Sequence, residues 1–110
     1  MVKRERQRYI LFKLIIIDPL AIDQNMILKA IWSSIWRYFG MKEANKIGLW
    51  LVEYNLEKAY GIIRCTHNTK ESIISALTLI SEINGKRIIF SPLKTSGTIK
   101  TINNFKVQLF

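Results

Sequence analysis

The stretch from Arg8 to Ile17 reads RYILFKLIII, and almost every position in it is apolar, with β-branched and aromatic residues dominating. A strand with one wet face alternates apolar and polar residues. An unbroken apolar run of this length predicts a strand buried on both faces. Asp18-Pro19 ends it, because proline restricts its predecessor and cannot extend the hydrogen-bond ladder. Any fold for this chain must therefore cover both sides of its first strand.

The segments that follow alternate in period. Asp23 is placed to cap a helix in which Ile27, Ile31, Ile35 and Tyr38 recur at helical spacing, with Gly40 as its end. Met41 to Lys46 is a polar linker. Ile47 to Asn55 reads as a strand with Ile47, Leu49 and Leu51 on one face and Trp50, Val52 and Tyr54 on the other. Lys58 to Cys65 is the next strand, so the pair is expected to form a hairpin. Asn68 and Glu71 have the spacing of a capping box for a helix that carries Ile73, Ile74, Leu77, Ile80 and Ile83 and stops at Asn84-Gly85. Lys86 to Leu93 is a fourth strand. Thr98 to Asn104 can form a short helix with Ile99 and Ile102 inward, and the alternating tail from Phe105 leaves its conformation open.

The order β-α-β-β-α-β predicts an α/β protein of the α+β sandwich type, with a four-stranded antiparallel, ferredoxin-like sheet and two helices on one face. The 110 residues make one domain, with a basic arm at 1–8 and a C-terminal extension at 97–110. One helical layer leaves a sheet face open. The extension, a partner chain or both must cover it.

Charge narrows the partners. Seventeen Lys and Arg against eight Asp and Glu give a formal net charge of +9, which favours polyanions. The start is charged but lacks the apolar run of a secretory signal, and no stretch approaches the ~20 apolar residues of a membrane span. A single cysteine, Cys65, cannot form an internal disulfide. The expected setting is therefore cytoplasmic, with no membrane partner. Cys65 either packs as a small hydrophobe or reacts with help from His67 or Arg64.

Residues for covalent chemistry are sparse. The carboxylates are scattered, His67 and Cys65 alone make no zinc site, and no Gly-rich phosphate loop occurs. Asp18-Pro19-Leu20 stands where ferredoxin-like acylphosphatases carry a Gly-rich arginine loop. Lys58-Ala59-Tyr60-Gly61-Ile62-Ile63-Arg64-Cys65 matches the central strand of an RNA recognition motif at its first, third and fourth positions, but Ile62 and Cys65 replace the stacking aromatics. Stacking on that part of the sheet is excluded, and protein is expected to cover the face. The candidate RNA-binding residues are cations, which hold phosphates and carry little sequence information. Lys3, Arg4, Arg6 and Arg8 form one cluster. Lys86 and Arg87, with Lys94 and Lys100 nearby, form another, and Arg64 projects from the hairpin. The alternative is a solvated basic face. Ser96-Gly97-Thr98 is either a plain turn or a backbone cradle for a phosphate. Trp32 and Trp36, one helical turn apart, are core residues or a docking surface for a protein partner.

Five segments taken together, Arg8-Tyr9-Ile10-Leu11-Phe12, Gly61-Ile62-Ile63-Arg64-Cys65, Ser75-Ala76-Leu77-Thr78-Leu79-Ile80, Asn84-Gly85-Lys86-Arg87 and Ser96-Gly97-Thr98-Ile99-Lys100, resemble the archaeal ribonuclease P protein component 2 family in order and spacing. The resemblance implies a ferredoxin-like fold with extra helices. It also implies a non-catalytic subunit of a ribozyme that removes the 5′ leader from precursor tRNA, the RNA doing the chemistry with Mg²⁺ and the protein binding no cofactor. The implied partners are ribonuclease P RNA, precursor tRNA and the barrel-like ribonuclease P protein component 3. A ribosomal or other ribonucleoprotein assembly protein, or a protein–protein scaffold without RNA contact, are the competing expectations.

Overall fold

A computed structural model of the chain describes residues 6–18, 22–44 and 48–109. The elements run β1 (Gln7–Ile16), α1 (Gln24–Ala44), β2 (Trp50–Asn55), β3 (Tyr60–Thr66), α2 (Lys70–Leu79), β4 (Glu82–Ile83), β5 (Lys86–Ser96) and α3 (Ile99–Leu109). The strands form one antiparallel sheet in the order β2-β3-β1-β5-β4. The architecture is α+β, and the sheet has five strands where four were expected.

The extra strand comes from a shorter second helix. α2 ends at Leu79, and Glu82 and Ile83 pair with Arg87 and Lys86. Asn84 and Gly85 both hold positive φ, 51° and 79°. That is the backbone of a two-residue hairpin turn, which Asn-Gly favours as strongly as it favours a helix terminus. Ile80 and Ile83 are buried from an extended segment rather than from a helix.

β1 lies at the centre and decides both layers. Ile10, Phe12 and Leu14 face one way, with Ile63 and Cys65 of β3 and Ile88 and Phe90 of β5. They meet Ile27, Ile31 and Ile35 of α1 and Ile73, Ala76 and Leu77 of α2 in the main core. Asp23 caps α1 through its Oδ1, which accepts the Met26 N–H at 2.8 Å. Gly40, at φ 81°, breaks the helical path, and a last turn to Ala44 follows it. α2 starts at Lys70 with Thr69 as its cap residue, one residue after the start an Asn68 cap would set, because a 3₁₀ turn over His67–Thr69 intervenes. Ser34 Oγ donates to the Ala76 carbonyl at 2.8 Å and ties the two helices together.

The other side of β1 is closed by the C-terminal segment. Leu11, Tyr60, Ile62 and Ile102 form a second core, with Tyr9, Leu93, Ile99 and Phe105 packed around it. The segment after Phe105, left open by the sequence, continues α3 to Leu109. Cover stops short of the end of β1, however. Ile15 and its partner Ile89 remain 44% and 45% exposed, so the strand is buried on both faces only in its middle, at Ile10, Leu11 and Phe12.

A bulge in β2 corrects the expected alternation. Leu51 pairs with Ile63 and Glu53 with Ile62, leaving Val52 without a partner. One extra residue inverts every later face. Tyr54 therefore turns to the main core, where its hydroxyl donates to the Ile22 carbonyl at 3.0 Å, and Glu53 turns toward α3.

Candidate nucleic-acid interface

The strand directions gather the N-terminus of β1, the C-termini of β3 and β5 and the start of α3 at one end of the sheet. Four of the cations singled out from sequence, Arg6, Arg8, Arg64 and Lys100, meet there, and Lys70 at the start of α2 joins them. The Arg6 carbonyl accepts the His67 N–H at 2.6 Å. Arg8 belongs to β1 rather than to a separate arm. Its guanidinium donates to the Gln7 carbonyl at 2.8 Å and lies so close to Gly97 that a Cβ there would sit 3.1 Å from Nη1. A side chain at this position would need the flexible guanidinium to give by a few tenths of an ångström. Lys3 and Arg4 lie outside the described residues.

Arg64 sits in a cross-strand row. Trp50 on β2 faces it from one side and Tyr9 on β1 from the other, and Tyr9 in turn pairs with Ser96. Arg64 is partly exposed, yet its Nε is buried without a hydrogen-bond partner. In the Ser96-Gly97-Thr98 turn, the Thr98 hydroxyl accepts the Thr101 N–H at 3.4 Å and the Ser96 hydroxyl accepts the Thr98 N–H at 3.3 Å. The turn is a side-chain-capped helix start, with Lys100 exposed in its first helical turn.

The expected cluster of Lys86, Arg87, Lys94 and Lys100 does not form. Lys86 opens β5 and Lys94 comes eight residues later on the same extended strand, roughly 26 Å away. Arg87, at the far end of the sheet, is engaged by Asp18 through Nε at 3.1 Å and Nη2 at 3.0 Å. That hydrogen-bonded guanidinium lowers the Asp18 pKa from its ordinary value and raises its own. Lys94 lies over the Phe105 ring at 5.6 Å.

A polar clasp with no counterpart among the sequence expectations holds α3 down. Lys106 Nζ donates to Glu53 Oε2 at 2.8 Å, the Tyr60 hydroxyl donates to the same oxygen, and the ammonium lies 5.5 Å from the Tyr60 ring centre. The Lys106 and Tyr60 hydrogen bonds hold the Glu53 carboxyl below its ordinary pKa, and the Lys106 pKa is raised by the same contact. Tyr60, which occupies an aromatic position of the RNA recognition motif, is thus buried under a helix. The clasp depends on the bulge that turns Glu53, and a bulge leaves no mark in the alternation of so short a strand.

Trp32 and Trp36 stack loosely, with ring centres 6.0 Å apart. Trp32 packs against the main core, while Trp36 is 53% exposed. Cys65 is buried in the sheet and His67 is exposed beyond it. Burial pushes the Cys65 thiol up to about 11, so it packs as a small hydrophobe. Among the described residues, no group of His, Cys, Asp and Glu could hold a metal ion, and no helix is long and apolar enough to cross a membrane.

Fold and site together define a small basic α+β protein with a cationic sheet end, its second face partly covered by α3. The chain belongs to the Rpp14/Pop5 family, whose model matches residues 8–107. A relative from Pyrococcus furiosus, Ribonuclease P protein component 2, is 38% identical over 99 residues, covering 90% of this chain and 81% of its own. The protein of the same name from Methanocaldococcus jannaschii is 32% identical over 97 residues, covering 88% and 69%. Among solved structures, a chain in the cryo-EM structure of yeast Ribonuclease MRP shares the fold, with a TM-score of 0.71 at 15% identity over 98% of this chain and 96% of that one.

Proposed function

We infer that this chain is an RNA-binding accessory subunit of ribonuclease P, supporting the catalytic RNA in removing the 5′ leader of precursor tRNA. The observation that carries this reading is family membership over residues 8–107, with relatives named Ribonuclease P protein component 2 such as those from Pyrococcus furiosus at 38% and Methanocaldococcus jannaschii at 32% identity. The cationic sheet end gives the role a physical basis, since clustered Lys and Arg hold phosphates whatever the sequence. In this reading the protein performs no covalent step. The RNA supplies the reacting groups and uses Mg²⁺, and the work is cytoplasmic.

The reading includes a protein partner, ribonuclease P protein component 3. Trp36 on α1 and the Ile15, Ile17 and Ile89 group beyond α3 are large apolar side chains left exposed, and such groups suit a protein contact. The sheet is read as a ferredoxin-like core, β5-β1-β3-β2, with β4 as an added edge strand.

The test is cleavage of precursor tRNA by the cognate ribonuclease P RNA with and without the purified chain, at limiting Mg²⁺. The expected result is cleavage stimulated by the protein, and steeply less so as salt rises. Equal cleavage with and without it, together with preferential binding of ribosomal RNA, would instead favour ribosome assembly.

A further inference from the structure

Residues directly opposed on antiparallel strands share a face. Trp50, Arg64 and Tyr9 therefore stand side by side on the face that α3 partly covers. α3 begins at Ile99 and packs over Leu11, Tyr60 and Ile62, leaving the Trp50 end of the row open. Trp50 is 61% exposed, the most exposed aromatic ring among the described residues.

Leaving an indole in water is unfavourable, and a buried guanidinium Nε without a partner carries a further cost. Both costs fall on neighbours in one row, at the end of the sheet where Arg6, Arg8 and Lys100 also gather. Trp, Tyr and Arg also make protein hot spots. Here the cations at the same end of the sheet, Arg6, Arg8 and Lys100, favour a polyanion over a protein surface.

We propose that the Trp50–Arg64–Tyr9 row is a stacking site for an unpaired RNA base, the Trp50 ring taking the base and the Arg64 guanidinium the adjoining phosphate. Every base has a π-face, so such a site accepts single-stranded RNA of any sequence, while a base held in a duplex cannot reach it. The site deepens the RNA-binding reading and rests on it. It also relocates the aromatic stacking of an RNA recognition motif from the central strands, which α3 occupies here, to the edge strand.

The experiment uses the whole chain, an oligouridylate of about ten nucleotides, an RNA duplex of the same length, and ribonuclease P RNA. Tryptophan fluorescence and affinity are read at several salt concentrations. The oligouridylate should quench the fluorescence and the duplex should not. Trp50→Ala should lose the quench and about tenfold in affinity for the oligouridylate, with an unchanged salt slope, because stacking releases no counterion. Trp50→Phe should keep most of the affinity. Arg64→Ala should flatten the slope by about one. Wild-type affinity in Trp50→Ala overturns the site. If ribonuclease P RNA is still bound in that case, the RNA-binding reading stands without it. No binding of any RNA by the wild-type chain removes both. A Trp50→Ala chain that binds RNA normally but loses self-association in sedimentation assigns the row to a protein contact and overturns the proposal as well.

Discussion

At the scale of single residues, Gly61 and Cys65 show what close packing in β3 demands. A Cβ at position 61 would lie 2.5 Å from Phe12 Cζ. The Phe12 ring is fully buried and stacked on Phe90 at 5.6 Å between centres, so it cannot withdraw. Gly61→Ala is expected to destabilise the chain by about 1–3 kcal/mol, seen as a lower urea midpoint at unchanged slope. Combining it with Phe12→Leu should give a smaller loss than the two single losses added, since the clash partner is gone. An additive result would mean that the ring is not what Gly61 accommodates. Next to the last residue of the same strand, Cys65 is inert for a reason of its own. With its thiol pushed up to about 11 by burial, the thiolate is scarce at pH 8. Alkylation by iodoacetamide should run at least ~100-fold slower in the folded chain than in urea, in keeping with a low population of open states. Comparable rates would place Cys65 in solvent.

Among the elements, α3 has the most to show. Its apolar positions were readable, and Ile102 is fully buried as the spacing of Ile99 and Ile102 required. Its length was not readable, because Phe105-Lys106-Val107-Gln108 alternates like a strand and becomes helical only by packing on Tyr60, Leu93 and Glu53. The same limit applies at β4: Ile80 and Ile83 have a helical separation, and Asn84-Gly85 suits a helix end and a hairpin equally. Tertiary pairing with β5 decides between them. Apart from Lys70, the cations of the sheet end were legible one by one, but their grouping was not, since Arg8, Arg64 and Lys100 come to one end only through the strand register. The clasp on α3 gives a pH prediction. Glu53 is held below its ordinary value of 4.5, so its stabilising contribution is present above that value and is lost as pH falls through the lowered one. Lys106 is raised above its ordinary 10.5, so its contribution is present below that value and is lost as pH rises through the raised one. The Glu53 side chain is 38% exposed, and screening keeps the gain to no more than about 1 kcal/mol. Amide exchange in α3, corrected for its intrinsic pH dependence, should show protection falling as pH drops through the lowered Glu53 pKa, while α2 is unaffected. Glu53→Gln should remove that acid dependence. An α3 whose protection follows the global unfolding curve in both proteins would show that the clasp does not hold it.

The whole molecule is polarised, and this decides how it should meet RNA. At the end where α3 starts, Arg6, Arg8, Arg64, Lys70 and Lys100 are accompanied, among the described residues, by the Glu71 carboxylate, which lies 3.7 Å from Lys70. At the opposite end, Lys86 and Arg87 are accompanied by Asp18, which binds Arg87, and by Glu82, the cross-strand partner of Arg87. A cation already matched to a carboxylate releases little from a phosphate that it would have to share. The two ends should therefore contribute unequally, although both looked equally basic in the sequence. Replacing Arg8 and Lys100 together by Ala should flatten the log–log dependence of ribonuclease P RNA affinity on salt by about two, one for each phosphate no longer neutralised. Replacing Lys86 and Arg87 should flatten it by about one at most. Neither pair lies in the buried core, so unfolding midpoints should move little. Because the effect is on binding, the precursor tRNA cleavage rate should recover at saturating protein in both variants. Equal losses of slope at the two ends would show that net charge alone, and not its placement by the fold, governs the contact. A cleavage rate that stays low at saturation would show that the cationic end shapes the active RNA beyond holding it.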